Sequence, residues 1–196
     1  MAIEYEVKLR GERDDLLNAL ERAGARAAGP RMLEDDYVLD TAERRILASG
    51  GLLRLRCRDD GFLLTLKGRS DAHGEVKAMS EVETSVSDGM AARRLLEGLG
   101  YGVAMRYQKY RTPFECPDCE ALAVTLDETP VGCFLEIEGE PTAIHRCAAA
   151  LGFSRADYET RSYLEIHRAE NGAGDMVFDP AADGDAAADT GARPAQ

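Results

Sequence analysis

IEYEVKLR, residues 3–10, is the stretch on which the fold turns. Ile3, Tyr5, Val7 and Leu9 alternate with Glu4, Glu6, Lys8 and Arg10, so an extended backbone puts the apolar side chains on one face and the charges on the other. Same-face neighbours two residues apart lie roughly 7 Å apart. Two glutamates so placed repel each other unless a cation comes between them.

The alternation recurs down the chain. Period-two runs at 3–10, 34–40, 52–58, 62–67, 76–86, 103–112, 121–127 and 132–138 read as strands, with 162–167 as a weaker ninth. Helical spacing appears at 14–23, 88–99 and 142–151, stopped by Gly24, Gly100 and Gly152, with Asp88 as a cap. Eight or so antiparallel strands with few helices predict an α+β fold built as a barrel or a strongly curved sheet.

One face of nearly every strand is charged. Arg54, Arg56 and Arg58 align, as do Thr65 with Lys67, Glu81 with Glu83, Lys109 with Arg111, Thr125 with Asp127, and Glu136, Glu138 and Glu140. Any one of these faces could be a solvated surface. Together they are sorted by sign, glutamate on 3–8 and 134–140, arginine and lysine on 52–58 and 106–111, whereas random surface decoration mixes signs. Turned inward, they make a polar tunnel whose ligand is a hard divalent cation with a polyphosphate: carboxylates suit Mg²⁺ or Mn²⁺, and Arg and Lys supply donors to phosphate. The metal would relieve the repulsion between Glu4 and Glu6.

The bulk numbers narrow the partners. In 196 residues the formal charge is −12, which argues against a general nucleic-acid or membrane-surface binder, since both partners are polyanions. There is no apolar run of transmembrane length and no secretory signal pattern, so the chain is read as cytoplasmic. Five scattered cysteines fit reduced thiols better than a disulfide framework. Cys116 and Cys119 are spaced CxxC but lack a matching second pair, which favours a hairpin loop turning at Pro117 and Asp118 over a metal or redox site. His73, His145 and His167 read as loop or surface residues, and neither a P-loop nor a GxGxxG turn is present. Residues 169–196 abandon periodicity for Ala, Gly, Asp and Pro and read as a disordered acidic tail, leaving 1–168 as the domain.

The ordered series ExExK at 4–8, LRLR at 53–56, TLKG at 65–68, SEVE at 80–83, QKYR at 108–111, VTLDETPVGCFLEIEGE at 124–140 and RSYLEI at 161–166 resembles the CYTH family, the triphosphate tunnel metalloenzymes. That family includes class IV adenylyl cyclases and thiamine, inorganic and RNA triphosphatases. The resemblance implies an antiparallel eight-stranded β-barrel, the triphosphate tunnel, with helices packed outside, and metal-facing carboxylates at Glu4, Glu6, Glu136 and Glu138, with Asp127 near the metals. It implies a phosphate clamp of Arg54, Arg56, Lys67, Lys109 and Arg111, with Lys8 beside the reacting phosphate. Glu83 or Glu81 would hold basic partners or a second metal, and Arg161, matching a basic position ahead of the closing SY in some members, is a substrate-binding candidate. Asp36, Tyr37 and Asp40 match a strand read as mostly structural. The implied cofactor is Mg²⁺ or Mn²⁺ and the partner a small molecule bearing a triphosphate. Because both Arg54 and Arg56 and both Glu136 and Glu138 are present, the resemblance favours a triphosphatase acting on inorganic triphosphate, thiamine triphosphate or a nucleotide. A class IV cyclase and a non-catalytic polyphosphate- or nucleotide-binding module are the alternatives. Monomer and homodimer are both compatible with the sequence.

Overall fold

A computed structural model describes residues 2–68, 71–73, 76–117, 119 and 121–179. Its strands are β1 (Ala2–Gly11), β2 (Arg26–Ala27), β3 (Met32–Asp40), β4 (Leu52–Arg58), β5 (Gly61–Lys67), β6 (Asp71–His73), β7 (Val76–Val86), β8 (Gly102–Glu115), β9 (Ala123–Thr129), β10 (Gly132–Glu138) and β11 (Tyr158–Glu159). The α-helices are α1 (Arg13–Arg22), α2 (Arg45–Ala48), α3 (Gly89–Gly98), α4 (Pro141–Ala150) and α5 (Tyr163–Asn171), with a 3-10 turn at Arg155–Asp157. Asp88 caps α3 as its side chain accepts from Ala91 N.

Eight antiparallel strands follow one another as β1-β10-β9-β8-β3-β4-β5-β7, and β7 pairs back onto β1 to close the barrel. β2, β6 and β11 attach to its margins. Closure gives every barrel strand two neighbours and turns the period-two pattern into inside and outside. Outside, Val7, Leu9, Val124, Leu126, Leu135 and Ile137 share a core with Leu16 and Leu20 of α1 and Ile144 and Ala148 of α4. A smaller outer cluster joins Leu39, Leu53 and Leu55 to Leu96 of α3. Among the described residues no helix is long and apolar enough to cross a membrane.

One end of the barrel is filled. Val38, Met105, Tyr107 and Phe134 form a buried cluster with Tyr163, Leu164 and Ile166 of α5. The run 162–167 is therefore helix where alternation suggested strand: Ser162 caps it, its side chain accepting from Glu165 N while Glu165 reaches back to the Ser162 N–H. His167 lies on the buried face of α5 and His145 stacks half-buried on Tyr158 from α4, so neither is the loop or surface residue expected from the sequence. The side chain of His73 lies outside the described residues.

The packed chain runs past 168. α5 continues to Asn171, and Met176 then forms a parallel bridge with Tyr107 of β8, donating to Arg106 O and accepting from Gln108 N. The bridge occupies β8 at residues 106–108, whereas β9 pairs with β8 from Tyr110 onward. Met176 is 1% exposed and Phe178 packs on Tyr110, so the boundary moves to 179 at least; residues 180–196 lie outside the described residues. A chain ending at Arg168 is expected to lose about 1.5–3 kcal/mol through the Met176 side chain alone. A chain ending at Asp179 should keep the full urea midpoint, and equal midpoints for the two would contradict the packing.

The cysteines depart from expectation as well. Cys119 is disulfide-bonded to Cys147, tying the segment after β8 to α4, so the set is not wholly reduced; Cys57, Cys116 and Cys133 are free. The turn proposed at Pro117 and Asp118 falls partly outside the described residues, since Asp118 is not among them.

Candidate active site

The inward faces line a cavity of about 620 Å³. It collects Glu4, Glu6 and Lys8 from β1, Arg54 and Arg56 from β4, Lys67 from β5, Glu83 from β7, Lys109 and Arg111 from β8, and Glu136 and Glu138 from β10. Strand register sets who meets whom: Lys8 faces Glu136, Glu6 faces both Glu138 and Lys77, Arg56 faces Asp36, and Arg111 faces Asp127.

Four groups of charges fill the wall. In the first, Asp127 is fully buried; its Oδ2 accepts from Lys109 Nζ at 2.7 Å, Arg111 Nη2 at 2.6 Å and Tyr163 Oη at 2.8 Å. Burial opposes its charge, but Arg111 and Lys109 outweigh that and hold the carboxyl below its usual value. In the second, Arg56 makes a bidentate pair with Asp36 at 2.8 and 2.9 Å and meets Glu34 at 2.8 Å. Burial again opposes the Asp36 charge, and Arg56 foremost brings the carboxyl down to about 2.

The third group is the opening strand itself. Lys8 Nζ donates to Glu6 Oε1 at 2.8 Å, and Lys77 Nζ reaches the same oxygen at 3.3 Å. Burial works against the Glu6 carboxylate, yet Lys8, then Lys77, hold it at about 2 despite Glu136 nearby. In the fourth, Lys67 Nζ lies 2.9 Å from Glu4 and 2.6 Å from Glu81. Glu4 is nevertheless pushed up to about 7, first by burial, then by Glu81 and Glu138. Glu138 rises through burial and Glu136, and makes no side-chain hydrogen bond or ion pair among the described residues.

The residues singled out from the sequence thus divide. Glu4, Glu6, Lys8, Arg54, Lys67, Lys109, Glu136 and Glu138 converge on one cavity. Asp127, read as lying near the metals, is not on the cavity wall; it sits behind it, occupied by two cations and a phenol. Glu136 is taken up by Arg111 at 2.6 Å and Lys8 at 3.8 Å. Glu83 is partly exposed, accepts from Thr65 Oγ1 and lies 3.7 Å from Arg54, the role of holding a basic partner. Arg161 does not join the site; it is exposed and paired with Glu159.

Glu34, Lys77, Tyr107 and Tyr163 also line the cavity and were missed. Lys77 shares the parity of Glu81 and Glu83, and Glu34 that of Asp36, so the alternation that found their neighbours could have found them.

Whether a divalent cation suits the acidic end is answered by the donors. Glu4, Glu6, Glu81 and Glu138 offer hard oxygens, and Glu4 and Glu138 are raised first by burial and then by neighbouring carboxylates, so a cation among them would favour their charged forms. The set fits Mg²⁺ or Mn²⁺, although among the described residues no three metal-binding groups already stand in ligating geometry.

A family model for the CYTH domain matches residues 2–163. Similar solved structures include a Vibrio parahaemolyticus protein provisionally named an adenylate cyclase, at 26% identity and TM-score 0.68 over 84% of this chain and 97% of that one. The PH1012 protein of Pyrococcus horikoshii is also 26% identical, with TM-score 0.67 over 83% and 98% of the two chains. HpAC1 from Hippeastrum, an adenylyl cyclase candidate with a dominant triphosphatase activity, shares the fold at 19% identity and TM-score 0.64, covering 86% of this chain and 96% of its own. No curated protein matches the chain. With that model spanning nearly all of the barrel, the chain belongs to the CYTH domain family.

Proposed function

We propose that the protein is a divalent-metal-dependent triphosphatase that releases the terminal phosphate of a small triphosphate substrate. The observation that carries this reading is the meeting, in one cavity, of ammonium and guanidinium groups with a carboxylate end where Glu138 has no ion pair or side-chain hydrogen bond among the described residues. A triphosphate with Mg²⁺ or Mn²⁺ supplies the complement of both.

The residues take distinct parts. Arg54 is buried, and its Nε has no hydrogen-bond partner among the described residues, so it is a guanidinium with a donor to spare for a phosphate oxygen. Lys8, Lys67 and Lys109 add point charges along the wall. Arg56 and Arg111, fixed by their carboxylates, contribute field more than free donors. Glu4, Glu6 and Glu138 would hold the cation, which would neutralise phosphate oxygens as a Lewis acid. Catalysis then rests on positioning the phosphate chain and stabilising charge on the leaving oxygen, by donors held in place before the substrate arrives.

A second reading, a cyclase releasing pyrophosphate, draws on the cavity's apolar margin at Leu47, Leu52 and Leu164, which could take an organic group. Incubation with ATP, inorganic triphosphate and thiamine triphosphate, each with Mg²⁺ or Mn²⁺, separates the readings by product. Orthophosphate supports the triphosphatase and cyclic AMP with pyrophosphate the cyclase. Binding without turnover would leave only a polyphosphate-binding module.

The arginines should behave differently from each other. Arg54→Ala is expected to weaken triphosphate binding by about tenfold or more through lost charge-assisted bonds. Arg56→Ala should lower the urea midpoint further than Arg54→Ala does, since it strands Asp36 and Glu34. Equal effects of the two changes on both measurements would refute the division.

A further inference from the structure

We propose that the ring of Tyr163 is a positioning element for the phosphate-facing lysines Lys8 and Lys109, holding both ammonium groups against its faces while leaving their N–H donors to the substrate. The inference rests on the triphosphate reading given above.

Lys8 Nζ lies 5.2 Å and Lys109 Nζ 5.3 Å from the centroid of this one ring. The two lysines come from different strands, β1 and β8, and both side chains are almost wholly buried. A lysine side chain has many rotamers, and its ammonium carries three donors and no acceptor. The carboxylates that steady these ammoniums, Glu6 for Lys8 and Asp127 for Lys109, do so by taking N–H groups. Each such bond takes one of the three donors, and an incoming phosphate needs those that remain. An aromatic face attracts the cation through its quadrupole and takes no N–H in doing so. Tyr163 is thus a partner that both lysines can keep once the substrate has bound.

The ring is itself fixed in three ways. Its Oη donates to Asp127 Oδ2 at 2.8 Å. Phe134 meets it edge-on with centroids 5.2 Å apart. It is also the first residue of α5, directly after the Ser162 cap and its reciprocal bond with Glu165. A helix outside the strand order thereby sets charges inside the barrel.

The test is calorimetric titration of the full chain with tripolyphosphate in buffer containing EDTA, which reads the cationic wall without metal or turnover. Tyr163→Phe keeps the ring and should bind within about threefold of the unmodified protein, while Tyr163→Leu should bind about tenfold more weakly. Ile144→Ala, in the outer core under α4 and away from the cavity, should lower the melting temperature and leave the dissociation constant unchanged. If Tyr163→Leu does not fold, Tyr163→Met fills the space with an unbranched chain and carries the same expectation.

The inference is overturned if Tyr163→Leu binds as the unmodified protein does while Arg54→Ala loses affinity, an outcome that keeps the triphosphate reading. It is also overturned if Tyr163→Phe is weakened as much as Tyr163→Leu, because the hydroxyl would then be the active part. If the unmodified protein does not bind tripolyphosphate, or Arg54→Ala binds it equally well, the triphosphate reading fails and the inference goes with it.

Discussion

Asp127→Ala should destabilise the fold by about 3–5 kcal/mol, the usual cost of removing one partner from a buried ionic group. The change would strip Lys109, Arg111 and Tyr163 of a shared acceptor in a place water does not reach. The pH dependence has a definite sign. The folded carboxyl titrates below its ordinary 3.8, so its contribution is complete above that value and is lost as pH falls through the lower folded one. Asp36, at about 2 in the folded state, adds to the same acid limb. Urea midpoints at neutral pH and at about pH 3 check both points: the variant should be weaker at neutral pH, and the gap should narrow in acid. An unchanged neutral midpoint would show that the buried carboxylate is dispensable.

Glu138→Gln should do the reverse. Glu138 has no ion pair or side-chain hydrogen bond among the described residues, and burial with Glu136 raises its carboxyl above 4.5, so in the folded state its charge is a cost at neutral pH. The neutral glutamine should leave the urea midpoint equal or slightly higher. Turnover of a triphosphate, on the proposed role in holding Mg²⁺ or Mn²⁺, should fall by at least about 100-fold, with part of it recovered at high Mn²⁺. Full turnover in the variant, or turnover by the unmodified protein in excess EDTA, would sink the metal assignment.

Much of this architecture was legible because inside and outside of a barrel are a period-two property, which each strand displays on its own. Glu4, Glu6 and Lys8 could be assigned to one face from IEYEVKLR without knowing any neighbour. What alternation could not give is pairing. That Asp127 is consumed by Lys109 and Arg111, or Arg56 by Asp36, depends on the register between paired strands, which the pattern within one strand does not carry. Short segments failed for a different reason: in RSYLEI six residues cannot separate a period of 2 from 3.6, although Ser162 and Glu165 already carried a helix-start signature. Met176 and Phe178 were averaged away by the Ala, Gly and Asp around them. Cys119 and Cys147 lie 28 residues apart in unlike elements, and nothing local links them.

β1 pairs along its length with β7 and β10, and touches β11 as well. All three lie far downstream, so β1 leaves the ribosome well before the strands it pairs with. Lys8, for example, cannot meet Glu136 until most of the barrel has been synthesised. Closing the barrel therefore requires long loops of chain to be ordered before the pairing that rewards them, the topology associated with folding in milliseconds to seconds rather than microseconds. Until then Ile3, Tyr5, Val7 and Leu9 form an unpaired apolar edge, and the charges of Glu4, Glu6, Lys8 and Arg10 on the opposite face are what keep that waiting strand in solution.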